Sequence, residues 1–275
     1  MSLTSFIADK NVKARLRDVF PTPRIRLEQR PMVEPLTDHY PLMGTAFDYL
    51  LRFSLQRLYT HAVAGQWVAE LVAGHAALAE IYDKTRARQV VAIVLEARQN
   101  YRQYLQTGIP TQELLRSALL LAQIDPFFRA GKLYEPFGVV DDRDCDDLAH
   151  LFAIIPFEQL ASQSVCLLDP TFGSSGLVGG ADVDLVLDGV MIDIKTTKFL
   201  QMKREYIDQL LGYYVLYRLG GITGMPEQHV ISHLGIYFSR HGYLYTLPIE
   251  QLASEAAILE FSSWFARYAR QVYGQ

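Results

Sequence analysis

The chain is 275 residues long, half of them apolar, with a formal net charge of −4. That length holds one large domain or two small ones with ample core, and the acidic balance excludes nucleic-acid binding by overall charge alone. No uninterrupted apolar run approaches the roughly 20 residues that cross a bilayer, and two cysteines, Cys145 and Cys166, exclude a disulfide framework and a zinc or iron–sulfur centre. A reducing cytoplasm is the expected compartment. Charges at Asp9, Lys10, Lys13, Arg15 and Arg17 interrupt the apolar stretch that a signal peptide needs.

Residues 1–43 read as an irregular, basic N-terminal segment punctuated by Pro21, Pro23, Pro31, Pro35 and Pro41, with little regular structure after residue 18. Lys10, Lys13, Arg15, Arg17, Arg24, Arg26 and Arg30 give it a basic side against Asp18 and Glu28. From Thr45 to Ala64, Phe47, Leu50, Leu51, Leu55 and Leu58 recur at helical spacing. Helices continue over 66–82, 84–106 and 111–124, the last stopping before Pro126. Asp141, Asp142, Asp144, Asp146 and Asp147 lack the glycine and terminal Glu of a calcium loop, and read as acids favoured at a helix N-terminus. Residues 148–162 follow as helix, Val165–Leu168 as a short strand, and Pro170–Gly180 as a loop. Lys203–Leu219 is a helix, His233–Ser239 and Tyr243–Leu247 are strands about His241-Gly242, and Pro248 opens a final helix to Val272. His61, His75, His150 and His233 read as packed or exposed side chains, not ligands. The expected fold class is α/β: a small mixed β-sheet flanked by helices, with a mainly helical N-terminal half. Residues 44–275 form one domain, helical over 44–160, with its core at about 161–275.

The most informative stretch is 179–197. Asp188-Gly189 between alternating apolar runs signals a tight hairpin. A two-residue turn pairs Leu187 with Val190, Leu185 with Ile192 and Asp184 with Asp193, and sets Asp182 opposite Lys195. With a side-chain period of two, these four polar groups share one face. Two carboxylates and an ammonium on an apolar hairpin are costly to bury unless they pair or bind an ion. Directly opposed carboxylates, with Cβ atoms about 4.5–5.5 Å apart, repel unless a cation lies between them. Asp184 and Asp193 are therefore the expected metal pair, and Asp182 the expected ion-pair partner of Lys195.

Gly179 to Asp182 or Asp184, then Asp193-Ile194-Lys195-Thr196, then Gln209-Leu-Leu-Gly-Tyr213 on a helix resembles the PD-(D/E)xK nuclease superfamily, in its RecB-like exonuclease branch. The resemblance covers residues 165–245, and more loosely 40–60, where Gly44-Thr45-Ala46-Phe47-Asp48 matches a helix on which the branch often carries a histidine ligand. Here Asp48 stands at that place. The iron–sulfur cysteines of some relatives are missing. The resemblance implies a restriction-endonuclease-like core and a Mg²⁺- or Mn²⁺-dependent exonuclease acting on DNA, with RNA not excluded as substrate. It implies a metal held by Asp184, Asp193 and the carbonyl of Ile194, with Asp182 and Asp48 as further candidates; the Gly179-x-x-Asp182 spacing alone favours Asp182 on the first strand. Lys195 would position the attacking water or offset charge, braced by Gln209 and Tyr213 one helical turn apart. A catalytically idle nuclease-fold module binding nucleic acid or a partner protein is the alternative. Lys195, Lys198, Lys203 and Arg204 add basic groups that would hold a DNA backbone.

Overall fold

The computed structural model describes residues 2–21, 25–27 and 32–274. Pro23, Arg24, Glu28, Arg30 and Pro31, on which part of the basic-segment reading falls, lie outside them. Six strands make one mixed sheet whose spatial order follows the sequence: β1 (Ala62–Ala64), β2 (Cys166–Leu168), β3 (Leu185–Leu187), β4 (Val190–Lys195), β5 (His233–Phe238) and β6 (Tyr243–Pro248). β1 and β2 run parallel, as do β4 and β5, and the other neighbours are antiparallel. Parallel neighbours need a long crossover. Between β4 and β5 it is α10 (Arg204–Gly220).

Both faces of the sheet are covered, so its central strands read as nearly continuous apolar runs. One face meets the helices that follow the N-terminal segment: α3 (Tyr40–Leu58), α4 (Val68–Ala73), α5 (Ala77–Ile81), α6 (Lys84–Thr107), α7 (Gln112–Ile124), α8 (Pro126–Ala130) and α9 (Asp142–Ala153). Leu185, Leu187 and Ile192 belong to that core. Val186, Met191, Leu234 and Ile236 point the other way, into a second core with α1 (Leu3–Ile7), α2 (Lys10–Val19), α10 and α11 (Glu255–Tyr273). The α/β class and the mixed sheet match the expectation. No helix among the described residues is long and apolar enough to cross a membrane.

Several boundaries differ, each for a local reason. The segment 1–43 is not irregular at its start: α1 and α2 form, and Leu3, Phe6, Val12, Leu16 and Phe20 are buried. Phe6 meets Phe265 of α11 edge-on at 4.9 Å, and α1 approaches α10 at Gly212, where a Cβ would lie 2.6 Å from Ile7 Cδ1. Gly212 of the Gln209–Tyr213 motif is thus a docking point for α1. α3 starts at Tyr40 and ends at Leu58, and residues 62–64, expected as helix, form β1. The expected helix 66–82 is broken at Gly74 into α4 and α5. The acidic run does open a helix, with Asp141 accepting from the Arg143 amide as N-cap. That helix stops at Ala153, three residues before Pro156, rather than at 162. α11 starts at Glu255, capped by Ser254, not at Pro248.

The hairpin turn is where the sequence puts it, with Leu187 opposite Val190 and Leu185 opposite Ile192. Asp188 takes left-handed backbone, φ 50°, which Asp tolerates in such turns. Its carboxylate accepts from the backbone N–H groups of Gln163 (3.0 Å), Ser164 (2.9 Å) and Val165 (2.9 Å). Burial acts to raise its pKa, but these donors win and hold it at about 2.

The first strand departs from expectation beyond Leu185. The chain there turns to the opposite neighbour: Asp169 N–H donates to Asp184 O, Val183 N–H to Pro170 O, and Asp182 bridges Thr171 antiparallel. Asp182 is therefore not opposite Lys195. Gly179 (φ 77°) and Gly180 (φ 112°) supply the left-handed backbone from which the segment enters this pairing.

A recessed acidic cleft with a lysine clasp

β4 carries the key residues at its carboxyl end, where it is paired with β5 on one side and free of β3 on the other. Alternation sends Asp193 and Lys195 toward α10. Lys195 Nζ lies 2.5 Å from Asp193 Oδ2 and donates to Gln209 Oε1 at 3.0 Å. Gln209 Nε2 in turn donates to Tyr213 Oη at 2.7 Å, and the Tyr213 ring stacks on Phe172, 5.7 Å between centroids. The ammonium also stands 5.1 Å from the centre of the Tyr206 ring. The i, i+4 spacing of Gln209 and Tyr213 makes this relay possible, as the motif implies. Asp193 is 2% exposed.

Asp184, one residue beyond the β3 ladder, accepts from the Ile194 N–H at 2.5 Å through Oδ2. Burial, and then the negative charges of Asp193 and Asp48, push its carboxyl well above the usual carboxylate range. Burial also raises Asp193, against the pull of Lys195. Burial works against the charge of Lys195, yet Asp193 outweighs it and holds the lysine above its ordinary value. Lys195 is an ammonium at neutral pH. Burial first, with Asp193 and Asp184 behind it, likewise keeps the Tyr213 phenol protonated.

Asp184 and Ile194 open onto a cleft of about 360 Å³ whose other walls come from far along the chain. Asp48 on α3 is one of them. Its Oδ2 accepts from Arg52 at 2.5 Å, while among the described residues nothing hydrogen-bonds its buried Oδ1. Burial, opposed by Arg52 and reinforced by Asp169, raises its pKa to about 6. Arg52 bridges onward to Asp169 at 3.1 Å. Asp125 accepts from the Tyr49 hydroxyl at 2.8 Å, and burial lifts its pKa to about 7. Asp182 pairs with Arg129 of α8 at 3.0 Å, which corrects the expected Asp182–Lys195 pair.

Asp48, Asp125, Asp169, Asp182 and Asp184 thus line one cleft against Arg52 and Arg129. Crowded, desolvated carboxylates of this kind are relieved by protons or by a cation. Among the described residues no three acidic, histidine or cysteine side chains converge tightly enough to make a metal cage by themselves. The donor set suits a hard cation that takes one or two carboxylates and keeps its waters, as Mg²⁺ does. The unbonded oxygen of Asp48 and the raised carboxyl of Asp184 fit the same demand.

Sequence reasoning missed Arg52, Asp169, Asp125 and Arg129. Arg52 had a signal, standing four residues after Asp48 on the same helix; the others arrive by tertiary folding. The basic residues divide between roles. Arg204 is structural, bonded to Asp208 at 2.7 Å and to the carbonyls of Leu16 (3.0 Å) and Phe20 (2.8 Å). Arg15 is engaged with Glu260 at 2.6 Å. Lys198 and Lys203 stay exposed on the loop between β4 and α10. Cys145 and Cys166 are both free, buried thiols. Comparisons of the chain with protein-family models, with curated proteins and with solved structures found no match.

Proposed function

We propose that this chain is a Mg²⁺- or Mn²⁺-dependent nuclease that hydrolyses phosphodiester bonds of DNA, exonuclease-like, with β3, β4, β5 and α10 as the centre of a restriction-endonuclease-like core. The observation that carries the reading is the Lys195 clasp: one ammonium held between Asp193 and Gln209, beside the recessed carboxyl of Asp184. A phosphodiester is an anion, and the cleft it would enter is lined by five aspartates and two arginines, so a bound cation is needed to admit it.

Asp184 and Asp193 would hold the metal, with the Ile194 carbonyl and Asp48 as further ligands; Asp182, turned to Arg129, is the weakest candidate. Bound Mg²⁺ supplies Lewis acidity and lowers the pKa of a coordinated water. Lys195 is protonated, so its part is electrostatic: it places positive charge where negative charge develops on the phosphate, and it does not abstract a proton. Gln209 accepts from Lys195 and donates to Tyr213, which fixes the ammonium's direction before substrate arrives. Fixing donors in advance removes reorganisation from the reaction step.

The test is incubation with labelled single- and double-stranded DNA and RNA in Mg²⁺, Mn²⁺ or EDTA. DNA cleavage with either metal, abolished by EDTA, is expected. Binding without cleavage would favour the idle nuclease-fold module, and absence of both nucleic-acid and cation binding would dismiss both readings.

A further inference from the structure

Arg52 is 8% exposed, and it stands among the cleft walls with Asp48 and Asp169. Its place on α3 follows from spacing: an acid four residues before a cation meets it one helical turn on, in the favourable order. The guanidinium donates to Asp48 Oδ2 at 2.5 Å and to Asp169 Oδ2 at 3.1 Å. Asp169 reaches it from the loop after β2 with left-handed backbone, φ 56°, which Asp adopts more readily than most residues. The Tyr49 ring centre lies 4.8 Å from the guanidinium carbon. Among the described residues nothing hydrogen-bonds the buried Nε of Arg52.

A buried arginine with a donor to spare is costly, and packing alone does not call for one. Its charge is permanent, because a guanidinium keeps its proton in proteins. Two carboxylates from separate segments, both held by one guanidinium, are close enough to share a cation, and the cation they share belongs to the chain itself. Mg²⁺ takes only one or two carboxylates and brings its own waters, so the same pair could hold a divalent ion if Arg52 were gone. Enzymes that cut phosphodiesters with two metals set the ions about 3.5–4 Å apart, clamping the attacking and the leaving oxygen. Asp48 joins two such positions: its Oδ2 meets Arg52, while its Oδ1 is left for an ion held by Asp184.

We infer that Arg52 is a built-in cation in the place of a second metal, so that the cleft loads a single divalent ion, on the Asp184 side. The inference rests on the nuclease reading. Arg52 is then a positioning residue: it holds Asp48 by one oxygen so that the other meets the ion, and it keeps a fixed positive charge where a second ion would stand. Against the ionised aspartates of the cleft, Arg52, Arg129 and one divalent ion leave a small negative excess, and a second ion beside Arg52 would reverse its sign. Removing Arg52 leaves Asp48 and Asp169 facing each other without a counter-charge, which a second ion would supply.

Counting bound Mn²⁺ by equilibrium dialysis, with electron paramagnetic resonance on the same samples, tests this without any turnover. The unsubstituted chain should hold about one Mn²⁺ with an isolated-ion spectrum, and Arg52→Met about two with the exchange-coupled spectrum of ions about 4 Å apart. Arg52→Lys, which keeps the charge, should stay at about one, and so should Arg52→Met combined with Asp169→Asn, which removes a carboxylate from the vacated pair. If Arg52→Met unfolds without metal, Mn²⁺ should restore it and raise its melting temperature more steeply than that of the unsubstituted chain. A second ion in the unsubstituted chain, a single ion in Arg52→Met, or an Arg52→Met chain that Mn²⁺ does not restore would overturn the inference. Cleavage of DNA and RNA by the unsubstituted chain is scored separately. Cutting with a count indifferent to Arg52 sinks the inference alone, the expected counts without cutting sink the nuclease reading alone, and no bound Mn²⁺ in any variant sinks both.

Discussion

Asp182 and Arg129 meet at 3.0 Å, tying the segment before β3 to α8. The Arg129 side chain is 71% exposed and that of Asp182 40%, and such pairs contribute about 0–1 kcal/mol. Asp182→Asn should therefore leave stability within about 1 kcal/mol and turnover within a few-fold. Urea unfolding and steady-state cleavage check this. A collapse of turnover in Asp182→Asn would return that residue to the metal.

Asp193→Ala and Lys195→Ala should each lower cleavage roughly 10²-fold or more, the usual cost of losing charge stabilisation at the reacting centre. DNA affinity should stay within a few-fold, because exposed basic groups outside the site, Lys198 and Lys203 among them, would carry the binding. Single-turnover rates and anisotropy separate the two effects. Near wild-type turnover in either variant would remove it from the site.

Asp184→Asn should weaken Mg²⁺ binding at least about tenfold by titration calorimetry, since it removes a carboxylate from a hard, oxygen-seeking cation. Asp48→Asn should weaken it less, because Arg52 already engages one of its oxygens. Crystals soaked in Mn²⁺ give the direct answer through anomalous density. Metal held by Asp182 with Asp184 turned away would reverse the assignment.

Asp125 offers a pH signature. Its folded pKa, about 7, lies above the ordinary 3.8, so the folded state keeps a proton that the unfolded state has lost. Stability therefore falls as pH rises from about 4 to about 7, and the loss is complete above that window. Asp125→Asn mimics the protonated acid and can still accept from Tyr49. Its stability gain over the unsubstituted chain should grow by roughly 1–3 kcal/mol across that window and then level off. Thermal unfolding from pH 4 to pH 8 without divalent cation measures it; a constant difference would refute the assignment.

What could be read in advance follows the range of the interactions. The turn at Asp188-Gly189 and the relay from Gln209 to Tyr213 are local, set by side-chain period and helical spacing, and both stand where the residues indicate. The Asp182–Lys195 pair failed because it extended one ladder past Leu185, and nothing in the composition of 169–171 shows that this segment captures Asp182 and Asp184 instead. β1 is three residues with no punctuation before it, and it exists through pairing with Cys166–Leu168, about a hundred residues away. α1 and α2 are short and polar on one side, and their worth lies in what they cover. The acidic cleft is tertiary throughout: Asp48, Asp125, Asp169 and Asp184 come from four separate segments.

The sheet that separates two cores also divides the consequences of substitution. Leu185 and Ile192 belong with the α3 side, while Val186 and Met191 belong with α10 and α11. Along β3 and β4, odd and even steps thus answer to different neighbourhoods, and adjacent residues share less fate than residues two apart. Double-mutant cycles should couple Met191 to α10 and Ile192 to α3, with near-additivity across the sheet. In a set of relatives, the same parity would appear as two interleaved groups of co-varying positions, with Asp193 and Lys195 on the α10 side and Asp184 opening onto the cleft beside Asp48 of α3.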